Sequence, residues 1–258
     1  MTFLTNPIYK GRNILIMCKQ YLLFVLFVIP FFLFAQKKKK DLYDIQHISG
    51  IIIDANIDDW ENKLYNLKSD VWSYAVASDK TKIYAAVIIK DKKLMDEAIR
   101  NGILFNISYS DKKMDGARII YPKFNLEKLE NSIADDPEEG RTIVQEELLQ
   151  STKGYYVAGF DKVRDGLLAR NNQYGIKALC KIDESGSLVY ECEIPLHLIK
   201  FKTSTIVAQL AVNTLYFSRQ KMSAGMRSSG YHTRGISKPT LKNPYTENTD
   251  VWFSGIIK

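Results

Sequence analysis

Alternation of apolar and polar positions dominates the chain from residue 70 onward. Residues 70–77 place Trp72, Tyr74 and Val76 on one face. After the turn Ser78-Asp79-Lys80-Thr81, residues 82–90 place Ile83, Ala85, Val87 and Ile89 together. Two period-two runs around a polar turn predict an antiparallel hairpin. Asp91 then predicts the N-cap of a short helix through Arg100, with Gly102 as its stop. Strand patterns return at 103–109, 117–121, 155–160, 174–182, 188–194, 206–217 and 251–257, with loops at 161–173 and 218–248. Residues 125–152 break the period. They are rich in Glu, Leu and Gln around an acidic turn at 135–140 and read as a small helical or irregular insertion. Many short strands and few helices predict an all-β fold. The expected form is an antiparallel β-sandwich, immunoglobulin- or jelly-roll-like, with short helices and that insertion.

The N-terminus reads differently. Residues 21–35 are an apolar run preceded by Lys10, Arg12 and Lys19, with Ala35-Gln36 at a plausible cleavage point. That layout predicts a secretory signal peptide over 1–35. The run is short for a membrane span, which takes about 20 apolar residues. The alternative is an uncleaved anchor helix, the one route by which this chain would meet a membrane. Residues 36–44, with Lys37 to Lys40, read as a basic linker, and 45–258 as a single domain. The net charge of +7 belongs to the leader and the lysine run, since residues 41–258 carry 29 basic and 29 acidic side chains. A domain without net charge offers nucleic acid no electrostatic footprint. The expected location is exported: periplasmic, outer-envelope or secreted.

Cys180 and Cys192 are the cysteines left after such a leader. They flank the turn 183–187, and alternation points both inward across a hairpin. Two readings stand: a disulfide in an oxidising compartment, or two buried thiols acting as small apolar groups. No cysteine or histidine spacing marks a zinc site.

The stretch Ile51 to Trp60 joins an apolar strand to a turn rich in Asp and Asn. Ile53-Asp54-Ala55-Asn56-Ile57-Asp58-Asp59-Trp60 resembles the pattern Ile-Asp-Gly-x-x-Asp-Asp-Trp. Residues 77–87, with Asp79 and Ile83-Tyr84-Ala85-Ala86-Val87, are similar to the hairpin of the same family, and Asp91 falls where that family places an Asp. Tyr190-Glu191-Cys192-Glu193-Ile194-Pro195-Leu196 resembles its late strand. Together these resemble the family 9 carbohydrate-binding module and its wider DOMON-like relatives. A further likeness is to secreted bacterial proteins of similar length, carried by Ile99-Arg100-Asn101-Gly102-Ile103 and Lys112-Lys113. The chain departs from the pattern at Ala55, where the family has Gly, and at the insertion.

The resemblance implies a non-catalytic, exported β-sandwich that binds a carbohydrate or envelope glycan. The alternative is a cell-envelope protein-interaction module with no sugar site. Candidate ligand-binding residues are Trp72 and Tyr74, as an aromatic platform, and Arg219, Arg227 and Tyr231, in the loop after the long strand. The same residues also have bland readings, as core aromatics and a solvated loop. Asp54, Asp58 and Asp59 are candidate calcium ligands, or short side chains capping turn amides. The acidic run Asp135, Asp136, Glu138 and Glu139 has no spacing to span a glycosidic bond. The histidines are isolated, and no nucleophile motif surrounds a Ser or Cys. No enzyme activity is expected. A haem role finds no axial Met/His pair.

Overall fold

The computed structural model describes residues 42–60, 62–66, 70–124, 139–228 and 242–256. The expected signal segment, residues 36–41 of the basic linker, residues 125–138 of the insertion and the candidate Tyr231 lie outside them.

Among the described residues, thirteen strands form two sheets. In chain order they are β1 (Tyr43–Asp44), β2 (Gln46–His47), β3 (Tyr65–Asn66), β4 (Trp72–Ser78), β5 (Lys82–Ile89), β6 (Ile103–Ile107), β7 (Ala117–Tyr121), β8 (Gly154–Ala158), β9 (Gly166–Ala169), β10 (Lys177–Ile182), β11 (Leu188–Pro195), β12 (Thr205–Val212) and β13 (Asp250–Ile256). Three α-helices among the described residues join them: α1 (Lys92–Asn101), α2 (Glu139–Ser151) and α3 (Leu215–Ser228). The first sheet runs β1-β13-β12-β6-β7-β8-β9 and the second β10-β11-β5-β4-β2, with β3 also paired to β4.

Pure antiparallel pairing is corrected here. β1 pairs parallel with β13, and β2 parallel with β4, so both sheets are mixed. The cause is one short segment. The chain leaves β13's flank at Asp44, crosses at Ile45 and enters the second sheet at Gln46. Tyr43 and Asp44, expected to end the linker, are thus edge-strand residues.

The period-two faces fall as the sequence pattern requires. Trp72, Tyr74 and Val76 of β4 and Ile83, Ala85 and Val87 of β5 join Ile103, Phe105 and Ile119 of the other sheet in one buried cluster. The opposite face of β4 and β5 is buried as well. Ala75, Ala77 and Ala86 underlie Ile48, Ile51 and Trp60 in a second cluster. Their small side chains let the 48–64 segment lie close on the sheet.

α1 starts and ends as expected. Asp91 accepts from the Leu94 amide at 2.8 Å. Gly102 closes the helix with φ 85°, where a Cβ would lie 2.6 Å from both Ile120 Cγ2 and the Pro122 carbonyl. Residues 142–150 of the insertion lie within α2. Three expectations fail. The strand over 206–217 stops at Val212, and α3 opens the stretch expected to be loop. Thr214 Oγ1 accepts from Phe217 N at 3.0 Å, and Glu97 Oε2 accepts from Leu215 N at 2.7 Å. Those two acceptors satisfy first-turn amides and start a helix. The 161–173 loop also contains β9, a four-residue edge strand whose Gly-Leu-Leu-Ala sequence does not alternate.

Asp79 organises the β4–β5 turn. Its Oδ1 accepts from Thr81 N, Thr81 Oγ1 and Lys82 N, and its Oδ2 from Tyr84 Oη. Burial works against the charged form, but these hydrogen bonds outweigh it and hold the carboxyl at about 2, below its ordinary 3.8. A depressed folded value favours the charged form in the native state. Its stabilising contribution is therefore full above pH ~4 and lost as pH falls toward ~2. Urea midpoints measured from pH 5 to pH 2 should fall in that window for the parent. In Asp79→Asn they should start lower and change less across it.

Candidate functional site

β11 carries two carboxylates within an apolar strand. Tyr190, Cys192 and Ile194 join the main core, so Glu191 and Glu193 point to the opposite face. Both are buried, at 0% and 2% exposure. A buried carboxylate requires donors, and each has them. Glu191 Oε2 accepts from Ala55 N at 2.7 Å and Asp54 N at 3.1 Å. Its Oε1 accepts from Trp60 Nε1 at 2.7 Å. Glu193 takes Lys82 Nζ on one oxygen and Lys177 Nζ on the other, each at 2.9 Å. Burial raises the pKa of Glu191, opposed by the bonds from Trp60, Ala55 and Asp54. Glu191 therefore ties the Asp54–Trp60 turn to the second sheet. Ala55 sits there at φ 58°, the conformation that explains a Gly in the resembled pattern.

This anchoring delivers Ile53 to a cleft of about 280 Å³. Tyr155, Ile176, Ala178 and Leu179 supply the rest of its apolar wall; Arg170, Asn171, Asn172 and Lys177 supply the polar groups. Arg170 follows β9 directly. Its Nη2 donates to Tyr121 Oη at 2.8 Å and to the Leu149 carbonyl at 3.3 Å. The guanidinium lies 5.8 Å from the Tyr121 ring centroid. Burial pushes the Tyr121 phenol up to about 12, with the Arg170 charge opposing. Asn172 shapes the loop: its Nδ2 donates to the Ala169, Arg170 and Ile176 carbonyls, and its Oδ1 accepts from Tyr174 N. Asn171 is exposed. The cleft thus offers cationic and amide donors beside an aliphatic wall, with no carboxylate in its lining. Its volume lies just below the usual range of ligand pockets, roughly 300–1,000 Å³.

Of the predicted ligand residues, Trp72, Tyr74 and Arg219 are not in that lining. Trp72 and Tyr74 are buried at 1% and 0%, which corrects the platform reading. Their strand face is the interior one. Their ring centroids are 4.6 Å apart, and Tyr74 meets Tyr43 and Phe253 edge-on. Trp72 Nε1 donates to the Asn248 carbonyl at 3.2 Å, which satisfies its one polar atom inside the core. Arg219 is exposed on α3; Arg227 lies in the same helix, beyond the described side chains.

The calcium reading of Asp54, Asp58 and Asp59 is also corrected. Asp54 Oδ1 accepts from Asn56 N, Asp58 Oδ2 from Asn56 Nδ2 and Asp59 Oδ2 from Ile52 N. The three carboxylates serve turn donors separately. Among the described residues no group of three His, Cys, Asp or Glu is placed to hold a metal.

Cys180 and Cys192 are buried free thiols, and burial raises both pKa values. In the register, Cys180 faces Tyr190 and Cys192 faces Ala178. The thiols are therefore diagonal rather than opposite. Diagonal neighbours lie roughly 7–8 Å apart, outside the usual Cα range of a disulfide at about 4.4–6.8 Å.

Sequence reasoning missed Arg170, Asn171 and Lys177, because an Arg-Asn-Asn run between strands reads as an ordinary turn. The available signal was Glu191-x-Glu193 inside an apolar strand, since carboxylates there demand partners. Comparison with protein-family models and with curated proteins finds no match to the chain.

Two substitutions test the anchor. Glu191→Gln turns an amide donor toward existing donors and should lower stability by about 1–3 kcal/mol in urea denaturation. Ala55→Gly relieves the left-handed Cβ clash, roughly 1–2 kcal/mol, against roughly 0.5–1 kcal/mol of added chain freedom. A small gain in melting temperature is expected.

Proposed function

We propose that this chain is a non-catalytic, exported β-sandwich that binds a carbohydrate or similar envelope glycan. The observation that carries the proposal is the cleft at Arg170–Lys177, with donors for hydroxyl groups beside an aliphatic wall for the C–H face of a sugar. The resemblance to family 9 carbohydrate-binding modules supports it. So does the way its separate motifs meet: Trp60 from the first and Glu191 from the last share a hydrogen bond. The shared core of the two sheets supports a sandwich arrangement. A glycosidase needs two carboxyl groups across the bond, and the cleft lining has none, which supports binding without hydrolysis. Export rests on the leader pattern of residues 1–35.

A second reading has its own observation. Ile120, Tyr156 and Leu167 line up across β7, β8 and β9. Tyr156 is 37% and Leu167 67% exposed. An apolar row at a sheet edge supports an envelope protein-interaction module.

Affinity gel electrophoresis against a polysaccharide panel separates the two. Retardation by at least one polymer is expected, weakened in Asn171→Ala and retained in Leu167→Asp. Retardation by none, together with one partner cross-linked at stoichiometric level and lost in Leu167→Asp, would favour the second reading.

A further inference from the structure

We infer that the cleft is selective for an anionic sugar residue, one bearing a carboxylate or sulfate group; this rests on the carbohydrate-binding reading above. The charge arrangement carries the inference. Arg170 and Lys177 both line the cleft, and no acid does. Lys177 is not neutralised one-to-one. Glu193 is shared between Lys82 and Lys177, so that triad keeps a net positive charge. Arg170 has no carboxylate partner among the described residues, and its Nη1 and Nε have no acceptor among them.

Arg170 is exposed, but one end of its guanidinium is tethered to the fold. Its Nη2 donates to Tyr121 Oη and the Leu149 carbonyl, and its guanidinium carbon lies 5.8 Å from the Tyr121 ring centroid. Holding the guanidinium in place before binding reduces the side-chain ordering that binding would otherwise require. Charge-assisted hydrogen bonds from arginine to an anionic oxygen are the strong members of their class. A neutral sugar would leave these donors with hydroxyl acceptors alone. Ile53 and Leu179, both partly exposed, also line the cleft, which suits the C–H face of the same ring. Asn171 stands at the rim as a further donor to ring hydroxyls.

The test uses matched polymers that differ in charge and share a backbone: polygalacturonate against its methyl ester, and dextran sulfate against dextran. Affinity gel electrophoresis of the full chain is read at a fixed ionic strength, for the parent, Arg170→Gln and Asn171→Asp. The exposed Asn171→Asp variant adds a negative charge at the rim without touching the Tyr121 contact, so it stays informative if Arg170→Gln folds poorly. The expected result is preference for the charged member of a pair, weakened about tenfold or more by each variant, which is about 1.4 kcal/mol. The pair that shows it identifies carboxylate or sulfate. Equal retardation by charged and neutral members, or a preference unchanged in Asn171→Asp, would overturn the inference and leave glycan binding standing. No retardation by any polysaccharide would instead remove the glycan-binding reading beneath it.

Discussion

A carboxylate with no exposure must be met by donors from elsewhere in the chain, and Glu191 is met by three. Two are backbone amides of the Asp54–Ala55 turn and the third is the Trp60 indole. These partners come from more than 130 positions away in sequence, so the bond is a tertiary constraint and not a local preference. Burial opposes the charge and the three donors answer it, which leaves the pKa raised. Removing a donor or the acceptor leaves a polar atom orphaned in the interior. The 48–64 segment is therefore held to one place on the second sheet. The alanines beneath it set how closely it lies, and Trp60 fills the remaining space.

The same strand organises the neighbouring surface. Glu193, one alternation further on β11, orders Lys82 and Lys177. Glu191 places the turn that carries Ile53. Ile53 and Lys177 both line the cleft. Its other polar wall depends on Tyr121 of the first sheet and on the end of α2, which hold Arg170. The cleft is thus composed by two sheets and a helix, and its residues are brought together by contacts outside it.

Much of the architecture was legible along the chain. The β4–β5 hairpin, the Asp91 cap and the Gly102 stop follow from alternation and capping chemistry, because those signals act within a few residues. The errors have one common origin. The strand expected to run through Phe217 was continued by its apolar run, but a remote Glu97 carboxylate accepts the Leu215 amide and favours a helix there. β9 shows no alternation, and its identity comes from pairing with β8. β1 and β2 are two residues long, and their parallel pairing depends on which sheet edge lies nearby.

Candidate chemistry divided in the same way. Alternation correctly grouped Trp72 with Tyr74, but one period-two pattern serves an exposed face and a buried one equally, and only contacts with residues of the other sheet decided that both rings are interior. The short acids at 54, 58 and 59 were legible as turn formers because an Asx side chain reaches amides two residues away. That they do not converge on one cation was decided by the direction each carboxylate takes in space. The sequence by itself determined periodicity, capping and turn chemistry, all set by near neighbours. The tertiary structure alone decided which faces are buried, which thiols lie diagonal and that Arg170 and Lys177 line one cleft. Those outcomes depend on contacts between residues far apart in the chain, which no local pattern encodes.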